Sequence, residues 1–304
     1  MESFKFLTRE EEKKLSVSEL KEYYQKMRKF YQEQGRLNDN FYQKVHKVYT
    51  HIAKMLRSYD IELRGIENIP LDTNVIFACN HSNSHDYYNL QEVLPNIFYA
   101  LSGEDTLNKF SKFLLKLGAC IFIDRNDKES SFNGRNMLIE KSLQGKDILI
   151  FPEATWCIHP AKLLLPMHTG VIKIAGITEK PIIPLVMEYI DTDLDVKKEK
   201  DLIKKCIIQI GTPIYVNEDD NTLEKLSELR EQMATIKWHI LEEQPPIKRE
   251  DIDFDVYENH LNLRMNTVMF KYDVLEEQKF IFNNQDYVYN EYPVNRVFVK
   301  KYKK

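Results

Sequence analysis

The sequence predicts an α/β fold: a mixed, largely parallel sheet flanked by helices, with an N-terminal helical hairpin and a C-terminal extension. Three observations lead there. Short apolar runs recur between residues 60 and 216. Helical spacers separate several of them, around 105–117, 130–144 and 165–176. Amphipathic segments flank the whole, at 17–58 and at 222–243. Apolar strands with helical spacers indicate a sheet covered on both faces.

Taken in order, residues 17–34 place Leu20, Tyr23, Tyr24, Met27, Phe30 and Tyr31 at helical spacing. "GRLNDN" interrupts, and Asn38 or Asp39 can cap a second helix over about 40–58. That helix carries Phe41, Val45, Val48, Tyr49, Ile52 and Met55. The apolar stripe of this pair can pack on the domain that follows or lie against a lipid surface. The strands are then "DIELR", "NVIFACN", "PNIFYALSG", "ACIFIDR", "DILIFPEAT", "PIIPLVMEY" and "CIIQIGTPIYV". Pro184 interrupts the sixth run and predicts a bend or an edge there, because proline brings no N–H to a ladder. Residues 222–243 form a last helix with Leu223, Leu226, Met233, Ile236 and Ile240 on one face. After "QPPIKRE" the composition turns to Tyr, Asn, Asp and Val, and the chain ends on the basic "RVFVKKYKK". The predicted units are 1–58 for the hairpin, 59–243 for the α/β domain and 244–304 for the extension.

Composition narrows the class. The 304 residues carry a formal net charge of −4 with mixed signs throughout, which argues against a nucleic-acid partner. Cys79, Cys120, Cys157 and Cys206 are widely spaced and read as buried, reduced thiols. The N-terminus has no apolar core of a secretory signal, and no apolar run approaches the roughly 18 residues of a spanning helix. The expectation is a cytoplasmic protein whose membrane contact, if any, is peripheral at the cytosolic face. The basic C-terminus is either a solvated tail or a segment attracted to anionic lipid.

Chemistry-bearing residues cluster where strands end, the place where α/β sheets bind ligands. "VIFACN" ends at Asn80 and is followed by His81, Ser82, His85 and Asp86. A histidine there suits a general base, and a carboxylate can hold its tautomer. His81 and Asp86 point about 140° apart in a regular helix at ~3.6 residues per turn, so they meet only if His81 lies in the strand-to-helix turn. Ser82, Asn83 and Ser84 favour such a turn. The alternative at this level is a metal pair, His81 and His85, four apart on one helix face, with His159 or His168 as a further ligand. "ACIFIDR" ends in Asp124 and Arg125, the latter suited to an anionic group. "ILIFPEATW" brings Glu153, Thr155 and Trp156 to a third strand end.

In order, these stretches resemble the four blocks of the glycerolipid and lysophospholipid acyltransferase family. The first block, Asn-His-Ser-x-x-x-Asp, is Asn80, His81, Ser82 and Asp86. The second, a strand followed by arginine, is "IFIDR" with Arg125. The third, Phe-Pro-Glu-Gly-Thr, is Phe151, Pro152, Glu153, Ala154 and Thr155; the fourth contains Pro184. The resemblance covers roughly residues 60–216 and selects His81 over His85 as the base. It implies that His81, oriented by Asp86, takes a proton from an acceptor hydroxyl. That oxygen then attacks the thioester of acyl-CoA or acyl carrier protein, with no cofactor, metal or covalent acyl-enzyme. Ser82, Arg125, Glu153, Ala154, Thr155 and Trp156 are implied to hold the substrates, a lipid or glycerol-phosphate-type acceptor among them.

Two departures from the family pattern stand out. Ala154 replaces glycine, which is strained if that position has φ > 0. Trp156 stands where arginine or serine is usual in enzymes of phosphorylated acceptors, leaving Arg125 to hold an anion, with Lys162 and Lys173 as candidate helpers. Two rivals stay open on the sequence: a metal-dependent hydrolase using His81, His85 and Asp86, and a non-catalytic lipid-binding protein. Tyr87 and Tyr88 can line an acyl channel or pack in the core.

Overall fold

A computed structural model of the chain describes residues 4–38, 40–83, 85–103, 109–157, 163–191 and 203–245. Strands β1 (Asp60–Arg64), β2 (Ile76–Cys79), β3 (Phe98–Gly103), β4 (Cys120–Ile123), β5 (Asp147–Ile150), β6 (Ile182–Asp191) and β7 (Ile203–Ile210) form one sheet. Their order is β1-β7-β6-β2-β5-β3-β4. The ladders from β6 through β2, β5 and β3 to β4 are parallel, and β7 joins β6 antiparallel. The expected mixed, largely parallel sheet is therefore the one observed.

The helices are α1 (Arg9–Glu12), α2 (Val17–Gln34), α3 (Asn40–Leu56), α4 (Asp86–Val93), α5 (Lys109–Leu117), α6 (Lys128–Leu143), α7 (Gly170–Thr178) and α8 (Thr222–Glu242). Local chemistry sets their starts. Ser16 caps α2 in a capping box with Glu19, Asp127 caps α6, and Asn221 caps α8. The helix expected over 165–176 begins only at Gly170. Pro166 disfavours helical geometry at Leu165, whose N–H instead donates to Glu153.

Alternation along β2 sorts the core into two layers, because successive side chains leave opposite faces of a strand. Ile76 and Ala78 join Met27 and Tyr31 of α2, Leu138 and Ile139 of α6, Ile172 of α7 and Met233 of α8. Val75, Phe77 and Cys79 join Tyr87 and Leu90 of α4 and Leu115 of α5. The two N-terminal helices pack on different partners. α2 contacts α6, while α3 contacts α4 and α5. Arg28 fastens α2 further, donating to the Ile177 carbonyl at 2.9 Å and to Glu218 at 2.7 Å. The four cysteines are free and buried, as their spacing suggested. Residues 246–304, and with them most of the expected C-terminal extension, lie outside the described residues.

Pro184 corrects an expectation. It sits within β6, opposite Ala78, in the interior of the sheet and not at a bend or an edge. The missing N–H falls on the side away from β2. Ile182 exchanges main-chain hydrogen bonds with Ile214, and the Pro184 carbonyl accepts from Gly211 N–H, so both residues turn their polar groups to the β7 side. β7 has ended at Ile210, and only the isolated bridge to Ile214 continues the pairing. No ladder bond to β2 is lost.

Candidate active site

The ends of β2 and β5 lie side by side, and the segments that follow them build the site together with the part of β6 that runs on past β2. Asn80 follows β2 and is fully buried. Its side-chain amide donates to the Met187 carbonyl at 2.9 Å and accepts from Met187 N–H at 2.7 Å. The amide thus extends the pairing of β6 one step past the end of β2. This frees the main chain to turn, and α4 begins at Asp86. His81 and Asp86 therefore do not share a helix. The turn brings His81 Nδ1 to 2.7 Å from Asp86 Oδ2.

Asp86 is fully buried and surrounded by donors. Oδ2 also accepts from the main-chain N–H groups of Ser82 at 2.7 Å and Asn83 at 3.0 Å. Oδ1 accepts from the Tyr189 hydroxyl at 2.6 Å. Four donors on an acceptor-only group fix its position from every side. Asn89 supports Tyr189 from α4, donating to its hydroxyl at 2.9 Å. Ser82 thus contributes a main-chain N–H. Tyr189 was not singled out in the sequence. Its signal is a polar-tipped aromatic inside the apolar "PLVMEY" of a central strand.

The loop after β5 grips the main chain of His81 on both sides. Glu153 Oε1 accepts from His81 N–H at 3.1 Å, and the His81 carbonyl accepts from Cys157 N–H at 2.6 Å. Glu153 Oε2 takes Leu165 N–H at 2.5 Å, and the side chain is buried. Glu153 therefore braces His81 against the 163–169 loop. Burial pushes its carboxyl up to about 7, against the pull of the Leu165 and His81 N–H groups. Thr155 is buried in the same loop.

Ala154 does have the left-handed backbone that makes glycine the easier residue there, at φ 56°. Arg125 reaches this loop from the edge strand β4 and donates to the Ala154 carbonyl at 3.2 Å. The Phe151 ring stacks on the His81 imidazole at 4.1 Å. Trp156 is nearly inaccessible, and its indole N–H donates to His81 Nε2 at 2.8 Å. An indole N–H can only donate, so Nε2 is the acceptor and the ring proton of His81 sits on Nδ1, facing Asp86.

The metal arrangement loses its premise. His81 precedes α4 and His85 is its N-cap, so the two never share a helix face. His85 Nδ1 bonds Asn83 Oδ1 at 2.8 Å, and both His81 nitrogens are engaged. Among the described residues no three His, Cys, Asp or Glu side chains converge as a metal set. His168 is held on the 163–169 loop, its N–H on the Pro152 carbonyl. His159, Lys162 and Ser84 lie outside the described residues. Tyr87 packs against Phe98 and donates to the Gly118 carbonyl, a core role.

The site thus sets a histidine of fixed tautomer beside a buried carboxylate at the lip of a largely parallel sheet. Residues 60–188 match the family described as Acyltransferase. It is 27% identical over 190 residues to mouse (Mus musculus) 1-acyl-sn-glycerol-3-phosphate acyltransferase alpha, a match spanning 60% of this chain and 66% of that protein. The crystal structure of the 1-acyl-sn-glycerophosphate (LPA) acyltransferase PlsC from Thermotoga maritima superposes with a TM-score of 0.53. That superposition covers 67% of this chain and 81% of the other at 20% identity, and so bears on the fold alone.

Two stability predictions follow from the loop after β5. Ala154→Gly relieves the left-handed strain of about 1–2 kcal/mol while losing part of it to backbone entropy. Urea unfolding should show a gain of about 0.5–1 kcal/mol, where an exposed helical site shows a loss. Glu153 binds a proton in the folded chain that the unfolded chain releases near its ordinary value of 4.5. Its contribution to stability is full below that pH and is lost as pH rises through about 7. Glu153→Gln should remove this slope. It should also cost about 1–3 kcal/mol, because the amide N–H₂ must face one of two main-chain N–H groups. Unfolding curves between about pH 5 and about pH 8 read both.

Proposed function

We propose that the chain is an O-acyltransferase moving a fatty acyl group from acyl-CoA or acyl carrier protein to a hydroxyl of a glycerol-phosphate-type or lysolipid acceptor. The observation that carries this reading is the 2.7 Å contact between His81 Nδ1 and the buried Asp86. It leaves Nε2 as the basic atom. His81 takes the acceptor proton at Nε2 as the hydroxyl oxygen attacks the thioester carbonyl carbon. The resulting tetrahedral adduct collapses, the C–S bond breaks, and the thiol leaves with the proton returned from His81. Asp86 holds Nδ1–H throughout and stabilises the transient imidazolium. Such proton transfer contributes typically ~10²–10⁴-fold. Arg125, whose guanidinium donates to the Ala154 carbonyl, meets the anionic headgroup in this reading.

The acceptor partitions with membranes, and the surface offers a means of reaching it. Among the described residues no helix is long and apolar enough to cross a membrane. α3, however, exposes Phe41, Val48 and Met55 at seven-residue intervals, at 63%, 61% and 73% of their surface. It also carries Lys44, Lys47 and Lys54 and no acidic residue. α5, packed beside it, exposes Phe113. This face suits peripheral contact with an anionic bilayer.

Labelled acyl-CoA and acyl carrier protein, each offered with 1-acyl-glycerol 3-phosphate and with a neutral lysolipid, test the chemistry. His81→Ala should lower transfer by about 10²–10⁴-fold with the fold intact. Arg125→Ala should raise KM for the phosphorylated acceptor more than for a neutral one, the change common to both reporting its support of the Ala154 loop. Transfer that survives His81→Ala overturns the assignment of the base. Flotation with vesicles containing phosphatidylglycerol tests the surface. Binding should weaken with Phe41→Asp and Met55→Asp, by about 1.5–3 kcal/mol for each apolar side chain no longer buried. Equal binding by the variants rules out α3 as the docking face.

A further inference from the structure

We propose that Trp156 caps the base, so that Nε2 of His81 is closed to water until an acceptor displaces the indole. The inference rests on the acyl-transfer reading and extends it to what selects the attacking hydroxyl. A neutral imidazole with its proton on Nδ1 offers a single in-plane lone pair, on Nε2. The Trp156 N–H occupies that lone pair at 2.8 Å. Nδ1 is committed to Asp86, and Phe151 covers one face of the ring at 4.1 Å. No second O–H can reach Nε2 while the indole is in place. Trp156 is 3% exposed, so the contact is sheltered from competing solvent.

The consequence is kinetic selection. Water and an acceptor hydroxyl would react alike once at Nε2. With water, the oxygen attacks the thioester carbonyl, His81 takes the proton, the C–S bond breaks, and free acid and thiol form. Water has nothing but its own hydrogen bonds to set against the indole contact. An acceptor brings an acyl chain and a headgroup, whose binding can drive the displacement, as in induced fit. Trp156 is in these terms a positioning and specificity residue: it acts through His81 and sets which hydroxyl gains access.

Trp156→Phe keeps an aromatic ring and removes the N–H. Acyl-CoA hydrolysis without acceptor should rise by about 2- to 10-fold, the equivalent of one net hydrogen bond. Hydrolysis should gain relative to transfer, and the gain should vanish when His81→Ala is added. If wild type transfers acyl groups but Trp156→Phe hydrolyses no faster, the cap is overturned and the acyltransferase stands. If wild type transfers to no acceptor while the variant hydrolyses acyl-CoA through His81, the cap stands and the acceptor reading falls. Turnover by neither overturns both. A second measurement does not depend on a variant of Trp156. The chain has 2 tryptophans, and Trp238 is exposed on α8. In a Trp238→Phe protein, Trp156 alone emits. Titration with 1-acyl-glycerol 3-phosphate in the absence of donor should shift its emission as the indole leaves the imidazole. Unchanged emission at acceptor concentrations that saturate transfer overturns the displacement.

Discussion

The buried carboxylate of Asp86 is the interaction on which the rest of the site depends. A carboxylate removed from water is costly unless its lone pairs are met. Here an imidazole, two main-chain N–H groups and a tyrosine hydroxyl meet them. These donors come from the turn after β2 and from β6, so the carboxylate ties that turn to the neighbouring strand. The same contacts that make burial tolerable also fix the ring orientation and tautomer of His81. Stability and chemistry draw on one set of hydrogen bonds, and a change to any donor acts on both.

The loop after β5 adds a second layer of control. It holds the N–H and the carbonyl of His81, so the imidazole rises from a main chain with little freedom. Glu153 is braced at both oxygens and Ala154 sits in a strained backbone well. Strain of this sort persists only where surrounding contacts over-determine the conformation. Here those contacts are the Phe151 carbonyl accepting Ala154 N–H and Arg125 donating to the Ala154 carbonyl.

Much of the fold was legible because its strands are short apolar runs and its helices carry caps. The chain from Asp60 to Ile210 follows the expected succession of strands, and α2, α6 and α8 start within two residues of their expected positions. Pro184 misled because the cost of a proline depends on which neighbour its nitrogen faces, and that is a property of the sheet. Pro166 explains the late start of α7, overriding the apolar periodicity around it. At the site, the turn that brings His81 to Asp86 could be argued from capping residues alone. The inward role of Glu153 could not, since a glutamate at a strand end reads alike whether it faces substrate or a main-chain N–H. Tyr189 was hidden for a related reason: 103 residues separate it from Asp86, and only the sheet order brings them together.

Asn80 carries a consequence for what evolution or mutagenesis can place beside the histidine. Its amide serves one main-chain donor and one main-chain acceptor of Met187 at once. Aspartate has the right shape but nothing to give the carbonyl. Serine lacks the span, and leucine meets neither group. Glutamine has both functions on a stem one carbon too long for so closed a space. The asparagine is thus a splice in the sheet, a side chain standing in for a missing residue of backbone. The freedom to vary this position is governed by hydrogen-bond parity within the fold, whatever molecule the neighbouring imidazole acts upon.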